Sequence, residues 1–212
     1  MSDYVAGKAW KQEKYDHILD EGFKLIAEKG IGAVIMPEVA KASGISPATI
    51  FRYFPSKTEM IVAIATRKWR EYIDWHNSLL TSVEMEKLTG AEYLKFFLDS
   101  FLELYRSHKD ILRFNYDFNS FVRNAEWTEE QKQPYIDMVT TLGKQFHELY
   151  ERGMKDGTLK TDISEQTMFS STFHIMLAAI TRYAVGLAVV NESDPENELM
   201  MLANMMLSRF TN

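Results

Sequence analysis

The sequence contains no cysteine among its 212 residues. This absence excludes disulfide bonds, thiolate metal sites and a cysteine nucleophile, and it fits a reducing compartment. The chain also lacks the positively charged start and apolar core of a signal peptide, because Met1 is followed by Ser2 and Asp3. We therefore expect a cytoplasmic protein.

The motifs of several enzyme classes are missing as well. There is no Gly-x-Ser-x-Gly elbow and no phosphate-binding loop, and Gly30-Ile31-Gly32 lacks the third glycine of a dinucleotide fingerprint. His147 and Glu148 are not followed by a histidine at the spacing of zinc proteases, and no Glu-x-x-His pair of a di-iron bundle occurs. The absence of these motifs predicts a protein that is not an enzyme and that uses no cofactor and no metal ion.

No segment shows the sustained alternation of apolar and polar residues that is typical of a β-strand. Apolar residues recur instead at helical spacing, as at Phe23 on the apolar, core-facing side of the first helix. Capping patterns separate the segments, with capping boxes at Thr89/Glu92 and Thr128/Gln131 and a cap at Asp194 before Pro195. We predict an all-α protein of about nine helices, with a helix-turn-helix head and a larger helical body. The apolar segment Met168–Val190 contains His174 and Arg182, which favours a helix buried in protein over a membrane span.

Three local features of the body are expected from residue type. Thr81–Leu88 is polar and is expected to be a connection, after a helix that ends near Leu80. Gly153 is expected to end a helix, because glycine often follows a last helical turn. Pro134 lies within a helical pattern and predicts a kink or a later helix start.

Acidic residues exceed basic ones, with 30 Asp and Glu against 24 Lys and Arg. The excess lies beyond residue 57, since residues 1–57 carry eight basic and seven acidic side chains. Phosphate contacts depend on local charge, so the N-terminal part can bind DNA despite the acidic body. The weak basic excess lowers the expected nonspecific affinity.

A helix-turn-helix pattern occupies residues 36–57. Gly44 ends the first short helix, because glycine adopts the left-handed conformation without a steric penalty. Ser46 is a favourable N-cap, and Pro47 takes the first helical position, where a missing N–H costs nothing. Ile50 belongs to an apolar stripe on one side of the second helix, whose other side is small, polar or aromatic. Such a second helix can enter the DNA major groove.

These residues carry a specific resemblance. The segments VAKASGIS, residues 39–46, and TIFRYFPSK, residues 49–57, resemble the DNA-binding signature of the TetR family of bacterial transcriptional repressors. The segment ILDEGFKLIAEKG, residues 18–30, is similar to the first helix of that family. The remainder of the chain resembles the family in length, in helicity and in a Gly-Met-Lys-Asp-Gly-Thr-Leu turn.

The resemblance implies a repressor that binds double-stranded operator DNA as a homodimer and is released by a small, mostly hydrophobic effector. It implies a DNA-binding domain at residues 1–56 and an effector-binding and dimerisation domain at residues 57–212. Sequence preference would lie at the variable family positions, and phosphate or groove contacts at the others. The residues predicted to contact DNA are Ser46, Pro47, Ala48, Thr49, Phe51, Arg52, Tyr53 and Lys57.

One position departs from the family pattern. Ile35 replaces the usual Thr or Ser cap of the second helix, which removes a cap and a phosphate contact. With Ile35 at this position, the sequence does not fix the residue at which the second helix begins.

The body is rich in aromatic side chains at helical spacing. Such residues usually form a filled core, but those of several helices can also enclose an apolar cavity with a few polar groups. The resemblance implies that this body binds a small effector, and the sequence leaves both a filled core and a pocket open. The residues predicted to contact the effector are Phe101, Tyr105, Phe114, Asn115, Phe118, Phe121, Met138, Leu142, Phe146, Phe169, Phe173 and His174, with His147 as a further hydrogen-bonding candidate.

The resemblance also implies that the last two helices pair with those of a second subunit. We predict these helices at Glu165–Val190 and Pro195–Phe210. The residues predicted at the interface are Ala178, Ala179, Arg182, Gly186, Leu199, Leu202, Met206 and Phe210.

A second hypothesis remains open at this point. The acidic body and the weakly basic head also fit a helical small-molecule-binding or interaction protein with weak or no DNA binding. The salt dependence of DNA affinity separates the two hypotheses, because phosphate contacts make affinity fall steeply with salt.

Overall fold

The computed structural model describes residues 2–187 and 194–212. These residues form ten helices, and their pairing in β-structure is limited to one isolated bridge between Leu159 and Thr211. The helices are α1 (Ser2–Lys29), α2 (Met36–Ala42), α3 (Pro47–Tyr53), α4 (Lys57–Asn77), α5 (Ser82–Lys87), α6 (Gly90–Ser107), α7 (Lys109–Asn124), α8 (Glu129–Asp156), α9 (Glu165–Ala184) and α10 (Pro195–Phe210). The predicted all-α class is confirmed.

The helix α5 lies where a polar connection was expected. The hydroxyl of Thr81 accepts the N–H of Glu84 at 3.2 Å, and the Glu84 carboxylate accepts the N–H of Thr81 at 2.8 Å. This reciprocal capping box stabilises a helix of six residues that has little apolar periodicity. Because periodicity was the main sequence signal, the prediction missed this helix.

The predicted caps of the longer helices are confirmed. Thr89 accepts the N–H of Glu92 at 3.2 Å and starts α6, and Thr128 accepts the N–H of Gln131 at 3.2 Å before α8. Asp194 accepts two N–H groups at the start of α10. Short side chains at these positions satisfy backbone donors that have no partner within the helix.

Two helix ends differ from the prediction. Gly153 lies inside α8, which continues to Asp156. Helix α9 ends at Ala184, where the N–H of Leu187 bonds the carbonyl of Arg182 at 3.0 Å and Gly186 has a φ of +75°. The predicted helix end at residue 190 lies outside the described residues. Pro134 is inside α8, whose first turn precedes it, so a later helix start is excluded.

The chain forms two compact units. The first consists of Met1–Trp69 and Phe114–Ile136, and the second consists of Arg70–Arg113 and Asp137–Asn212. Helices α4, α7 and α8 each contribute residues to both units. This division describes packing, and the boundary expected after residue 56 between two functional domains stays a prediction.

The first unit contains the helix-turn-helix. Its α1 packs on α2, and α2 packs on α3. A Cβ atom on Gly22 would lie 2.9 Å from Cδ1 of Ile64, so glycine permits the close approach of α1 and α4. Arg67 and Lys68 of α4 each bond Asp20 of α1 at 3.2 Å. The first part of α4 is therefore fixed to α1 by apolar packing and by ion pairs.

The second unit has α6 at its centre, in contact with α9 and α10. The start of α6 meets the end of α8 at two glycines, because a Cβ atom on Gly90 would lie 2.0 Å from Cα of Gly153. The C-terminus closes this unit, with the N–H of Lys160 bonding the carbonyl of Phe210 at 2.9 Å. No helix in the described parts of the chain is both long enough and apolar enough to cross a membrane.

Candidate DNA interface and ligand-binding residues

The turn between α2 and α3 is built on Gly44. Its φ is +64°, a conformation that a side chain disfavours, and nothing lies within 4 Å of the position that a Cβ atom would take. The N–H of Ile45 bonds the carbonyl of Ala40 at 2.9 Å, and the N–H of Gly44 bonds that of Lys41 at 3.2 Å. These bonds close the end of α2 and fix the direction of α3, as the sequence predicted.

Helix α3 is held from one side only. Ile50 and Phe54 are buried, and the ring of Tyr15 lies 5.0 Å from that of Phe54. At the start of the helix, Ser46 Oγ accepts the N–H of Thr49 at 3.2 Å and lies 2.9 Å from Thr49 Oγ1. The opposite side of α3 is left for solvent.

The residues predicted to contact DNA lie on this open side. Phe51 is 47% exposed. A large aromatic side chain that folding leaves in contact with water favours a binding surface. The exposed members are Ser46, Pro47, Ala48, Phe51 and Arg52, and the half-buried members are Thr49, Tyr53 and Lys57.

Lys57 is the first residue of α4. Its Nζ lies 3.4 Å from the carbonyl oxygen of Gly32, and partial burial lowers the pKa of its ammonium group. The first turn of α4 is capped by Ser56, whose hydroxyl accepts the N–H of Glu59 at 3.2 Å. The free N–H groups of a helix start attract anions, so the predicted phosphate contact of Lys57 stays a prediction with a physical reason.

The departure at Ile35 has a clear structural result. Helix α2 begins at Met36 without a side-chain cap from Ile35, which is 54% exposed. The carboxylate of Glu38 accepts the N–H of Ile35 at 3.3 Å and bonds Lys29 at 3.1 Å. These two contacts, that to Lys29 first, hold the pKa of Glu38 below its usual value. Glu38 thus replaces part of the missing cap.

The predicted effector-binding residues fall into both compact units. In the second unit, Phe101 and Phe173 lie 6.0 Å apart, Phe169 and Phe173 lie 5.8 Å apart, and Phe146 lies 5.2 Å from Phe169. Met138 and Leu142 are buried in the same unit. Four of the predicted phenylalanines, from the three helices α6, α8 and α9, therefore form one aromatic cluster.

Of the three other predicted residues of the second unit, Tyr105 and His147 lie apart from this cluster, and His174 lies at its edge with its ring centroid 6.5 Å from that of Phe173. Tyr105 packs on Tyr183, with ring centroids 6.3 Å apart. His174 is exposed, although its neighbour Phe173 is in the cluster. His147 is also exposed, and its Nδ1 lies 3.0 Å from a carboxylate oxygen of Glu165, which raises the pKa of the imidazole.

The first unit holds the remaining predicted residues. Phe114 and Phe118 stack with centroids 6.1 Å apart, Asn115 is 3% exposed, and Phe121 is half-buried. Sequence reasoning missed the rings around them: Phe23 lies 5.5 Å from Phe114, and Tyr135 lies 5.1 Å from Phe118. Phe23 was assigned to the core of α1, and Tyr135 follows a proline, so neither showed a binding signal.

The residues predicted at the dimer interface differ in their burial within the chain. On α10, Leu199, Met206 and Phe210 are buried within the chain, and Leu202 is half-buried. Periodicity identified the apolar stripe of the helix correctly, but this stripe packs on α6 and α9. Among the predicted residues of the α9 segment, Ala178, Arg182 and Gly186 are exposed, and Ala179 is half-buried.

A different apolar set is exposed on these two helices. Met201 is 55% exposed and Met205 is 60% exposed, and Ile175 of α9 is 48% exposed. Met201 and Met205 are four residues apart and so share one side of α10. The sequence offered a signal in the four methionines of α10, which give that helix more apolar residues than one buried stripe requires.

The described residues contain no group of three or more acidic or histidine side chains that could hold a metal ion.

Comparison with known proteins gives related sequences. A model of the family described as bacterial regulatory proteins, tetR family, matches residues 18–64, which run from α1 through the helix-turn-helix into α4. The HTH-type transcriptional repressor KstR2 of Rhodococcus jostii is 23% identical over 98% of this chain and 96% of its own length. The HTH-type transcriptional regulator YvdT of Bacillus subtilis is 26% identical over 76% of this chain and 83% of its own length.

Solved structures share the fold. A TetR transcription regulator from Haloarcula marismortui aligns with a TM-score of 0.74 at 16% identity, over 95% of this chain and 100% of the other. The transcriptional regulator FadR from Bacillus subtilis, in complex with stearoyl-CoA, aligns with a TM-score of 0.66 at 18% identity, over 92% of this chain and 96% of the other.

Proposed function

We propose, from the membership of this chain in the TetR family of bacterial regulatory proteins, that it is a ligand-responsive transcriptional repressor. The observation that carries the proposal is the exposed side of α3, which Ser46 caps and which Ile50 and Phe54 hold from behind. The full-length similarity to a protein named as a repressor supports the same conclusion. An enzymatic role has no support from the residues or from the relatives.

DNA recognition is assigned to the side chains of α3 and the start of α4. Arg52 and Pro47 are exposed on α3 and would contact base edges in the major groove. Lys57 would bind a phosphate at the start of α4, together with Tyr53 and Thr49. Phe51 and Ile35 are exposed and apolar, so their partners would be sugar carbons and thymine methyl groups rather than phosphates.

Two copies of the chain would bind one operator. The exposed apolar residues of α9 and α10, above all Ile175, Met201 and Met205, provide the surface for a second copy. A two-fold dimer places its two α3 helices in successive turns of the major groove when their spacing is about 34–36 Å. Because its partner is DNA, we place the protein in the bacterial cytoplasm.

The effector would be small and mostly hydrophobic. This proposal is supported by the aromatic clusters of the two units and by the stearoyl-CoA complex of the structurally similar FadR. A ligand acts as an inducer only if it binds better to the form of the dimer that cannot fit the operator. A preference of ~100-fold is worth about 2.7 kcal/mol, which is within the usual range of allosteric coupling.

A salt titration of DNA affinity tests the proposal. Operator sites are first selected from a random duplex pool, and affinities for a selected and a random duplex are then measured over a range of salt concentrations. We expect Lys57→Ala to weaken both complexes alike and to reduce the salt slope by about one, as for a lost phosphate contact. We expect Arg52→Ala to weaken the selected duplex by about 1–3 kcal/mol and the random duplex much less.

Lys24→Ala is the matched control for these variants. Lys24 is an exposed lysine of α1 that pairs with Glu21 at 2.6 Å, so its loss should leave both affinities unchanged. If the wild-type chain shows no affinity that falls with salt, the repressor proposal fails. The second candidate, a ligand-binding or interaction protein without DNA binding, then takes its place.

A further inference from the structure

The first compact unit contains two buried polar atoms that lack a hydrogen-bond partner. Thr66 is 5% exposed and Trp69 is 6% exposed. Within the described residues, no partner is found for Thr66 Oγ1 or for Trp69 Nε1. Burying such groups unpaired costs free energy, and most buried polar groups in proteins are paired. Asn115, which is 3% exposed, also makes no hydrogen bond among the described residues. A ligand that pairs with these side chains would recover this free energy.

Two helices bring these groups to the same region. The carboxylate of Glu59 on α4 accepts a hydrogen bond from the side-chain amide of Gln131 on α8 at 2.9 Å. Thr66 follows Glu59 by seven residues, and at 3.6 residues per turn it lies on nearly the same side of α4. Trp69 follows Thr66 by three residues and is adjacent to it on the helix surface. The side of α4 that faces the start of α8 therefore carries both unpaired groups.

The third group reaches this region through α7. Tyr135 is one turn beyond Gln131 on α8, and its ring lies 5.1 Å from the ring of Phe118 on α7. Asn115 precedes Phe118 by three residues and so lies next to it on α7. No hydrogen bond of the Tyr135 hydroxyl is found among the described residues, which adds a fourth polar group. Burial raises the pKa of Tyr135 to about 12, so its hydroxyl keeps its proton at neutral pH.

The lysines beside the surrounding aromatic rings are already paired. Phe23 lies 5.5 Å from Phe114, and the ammonium group of Lys68 lies 5.0 Å over the Phe23 ring and bonds Asp20 at 3.2 Å. Trp127 lies 6.4 Å from Phe118, and the ammonium group of Lys132 lies 5.6 Å over the Trp127 ring and bonds Glu129 at 2.5 Å. An anionic ligand would have to draw a lysine away from these partners or enter without a counter-ion, at a desolvation cost. An uncharged ligand avoids both costs.

We propose that Thr66, Trp69, Asn115 and Tyr135 form the polar part of the effector site, and that the effector is an uncharged, largely apolar molecule with a carbonyl or equivalent acceptor oxygen. The indole N–H donates only, and the hydroxyl and amide groups can also donate, so all four groups can pair with an acceptor. This inference rests on the proposed function, because it names the ligand class and the place of the response. It also places the ligand against α4, the helix that begins directly after the helix-turn-helix.

Three matched probes test the ligand class. Benzophenone carries one carbonyl between two rings, diphenylmethane has nearly the same shape without the oxygen, and diphenylacetate adds a negative charge. We expect benzophenone to bind at least about tenfold more tightly than either of the other two, as for one or two hydrogen bonds made in a buried site. Calorimetric titration of the full chain measures the three affinities. Equal affinities for benzophenone and diphenylmethane, or no binding of any probe, would overturn the proposal.

Two substitutions test the residues. Thr66→Val and Asn115→Leu remove unpaired polar groups while roughly keeping the side-chain volume. We expect each to lower the affinity for benzophenone by about threefold to tenfold, and Thr66→Val to raise the melting temperature of the free protein. If the Thr66 hydroxyl had a purely structural role, Thr66→Val would lower the melting temperature instead, because losing a satisfied hydrogen bond lowers stability.

Thr181→Val is the matched control. Thr181 Oγ1 is also buried without a partner but belongs to the second unit. The control should raise the melting temperature and leave the affinity for benzophenone unchanged. If Thr181→Val weakens benzophenone binding as much as Thr66→Val does, the site is not where we place it.

The two proposals can fail separately. Binding of benzophenone that depends on Thr66 and Asn115, in a protein without salt-dependent DNA affinity, would overturn the repressor function and keep the site. Suppose instead that DNA affinity depends on salt and that neither Thr66→Val nor Asn115→Leu changes benzophenone binding. The repressor function would then stand, and the proposed site would be overturned.

Discussion

The side-chain amide of Gln131 donates a hydrogen bond to the carboxylate of Glu59 at 2.9 Å. The other end of the same amide accepts the N–H of Thr128 at 2.9 Å and so caps α8. One side chain therefore joins the first turn of α4, directly behind the helix-turn-helix, to the first turn of α8, one turn before Tyr135. A shift of α8 caused by a ligand would reach α4 through this contact.

The first prediction concerns this bond. Glu59→Met removes the acceptor, whereas Glu59→Gln keeps an acceptor oxygen and removes only the charge. We expect Glu59→Met to lower the free energy of unfolding by about 2 kcal/mol, as for a partly buried bond to a charged group. Glu59→Gln should cost about 0.5 kcal/mol, mainly from the lost interaction with the helix start. Urea unfolding measures both, and equal losses in the two variants would show that the bond contributes nothing.

The helix-turn-helix could be predicted from the sequence because its determinants are local. The left-handed Gly44, the cap at Ser46 and the proline at 47 each act on the backbone within a few residues. Such effects do not depend on the rest of the fold. The same reasoning explains why the capping boxes of α6 and α8 were predicted correctly.

Features that depend on distant residues were not predictable in this way. The apolar stripe of α10 was found, but periodicity cannot say whether Met206 faces its own chain or a second copy. Thr66 Oγ1 and Trp69 Nε1 lack hydrogen-bond partners because of how the helices pack in three dimensions. The helical pattern of apolar and polar residues in the sequence does not reveal this. Asn115 was selected as a ligand contact because it is polar within an aromatic segment, and its burial keeps it a candidate.

The second prediction concerns glycines, one of which was taken for a helix end. A Cβ atom on Gly153 would lie 2.2 Å from Cγ of Leu159, so alanine cannot fit there without movement of α8. We expect Gly153→Ala to destabilise the chain by about 2–3 kcal/mol, in the range of overpacked cores. Gly143 lies in the same helix with nothing within 4 Å of its Cβ position. Gly143→Ala should therefore stabilise the chain by about 0.5–1 kcal/mol.

Thermal and urea unfolding of these two variants check the argument. The opposite signs are the decisive result, since both changes add one methyl group to α8. A stabilised Gly153→Ala variant would contradict the close approach of Leu159.

The third prediction concerns assembly. Met201 and Met205 are exposed, so replacing both with glutamate should cost the folded chain little, within about 0.5 kcal/mol for each site. In a dimer the same charges would be buried in an apolar interface, at a cost of several kcal/mol. We expect the double variant to sediment as a monomer and to lose affinity for a selected operator duplex.

Tyr116→Glu is the control for assembly, because Tyr116 is 48% exposed on α7 and lies outside α9 and α10. It should leave the dimer intact. If the double variant at Met201 and Met205 remains a dimer at micromolar concentration, the interface lies elsewhere.

The fourth prediction concerns the pH dependence of stability. His76 of α4 is buried against the rings of Tyr72 and Phe96, and burial lowers the pKa of its imidazole to about 4 although Asp99 and Glu103 act in the opposite direction. The unfolded chain takes up this proton near pH 6.5, whereas the folded chain does so only near pH 4. Between pH 6.5 and pH 4 the unfolded chain therefore binds more protons than the folded chain. The free energy of unfolding should fall with decreasing pH in this range, by up to about 1.4 kcal/mol per pH unit.

Replacing this histidine by phenylalanine removes the titrating group and keeps a ring of similar size. We expect His76→Phe to flatten the profile of unfolding free energy between about pH 6.5 and 4.5, above the range in which carboxylates with lowered pKa such as Glu38 are protonated. His147 provides a control of opposite sign, because Glu165 raises the pKa of its exposed imidazole. The stabilising contribution of protonated His147 is fully present below about pH 6.5 and is lost as pH rises above that value. His147→Gln should therefore change the slope of the stability profile only above about pH 6.5. A His76→Phe profile that keeps the full slope between pH 6.5 and 4.5 would mean that His76 is protonated in the folded chain.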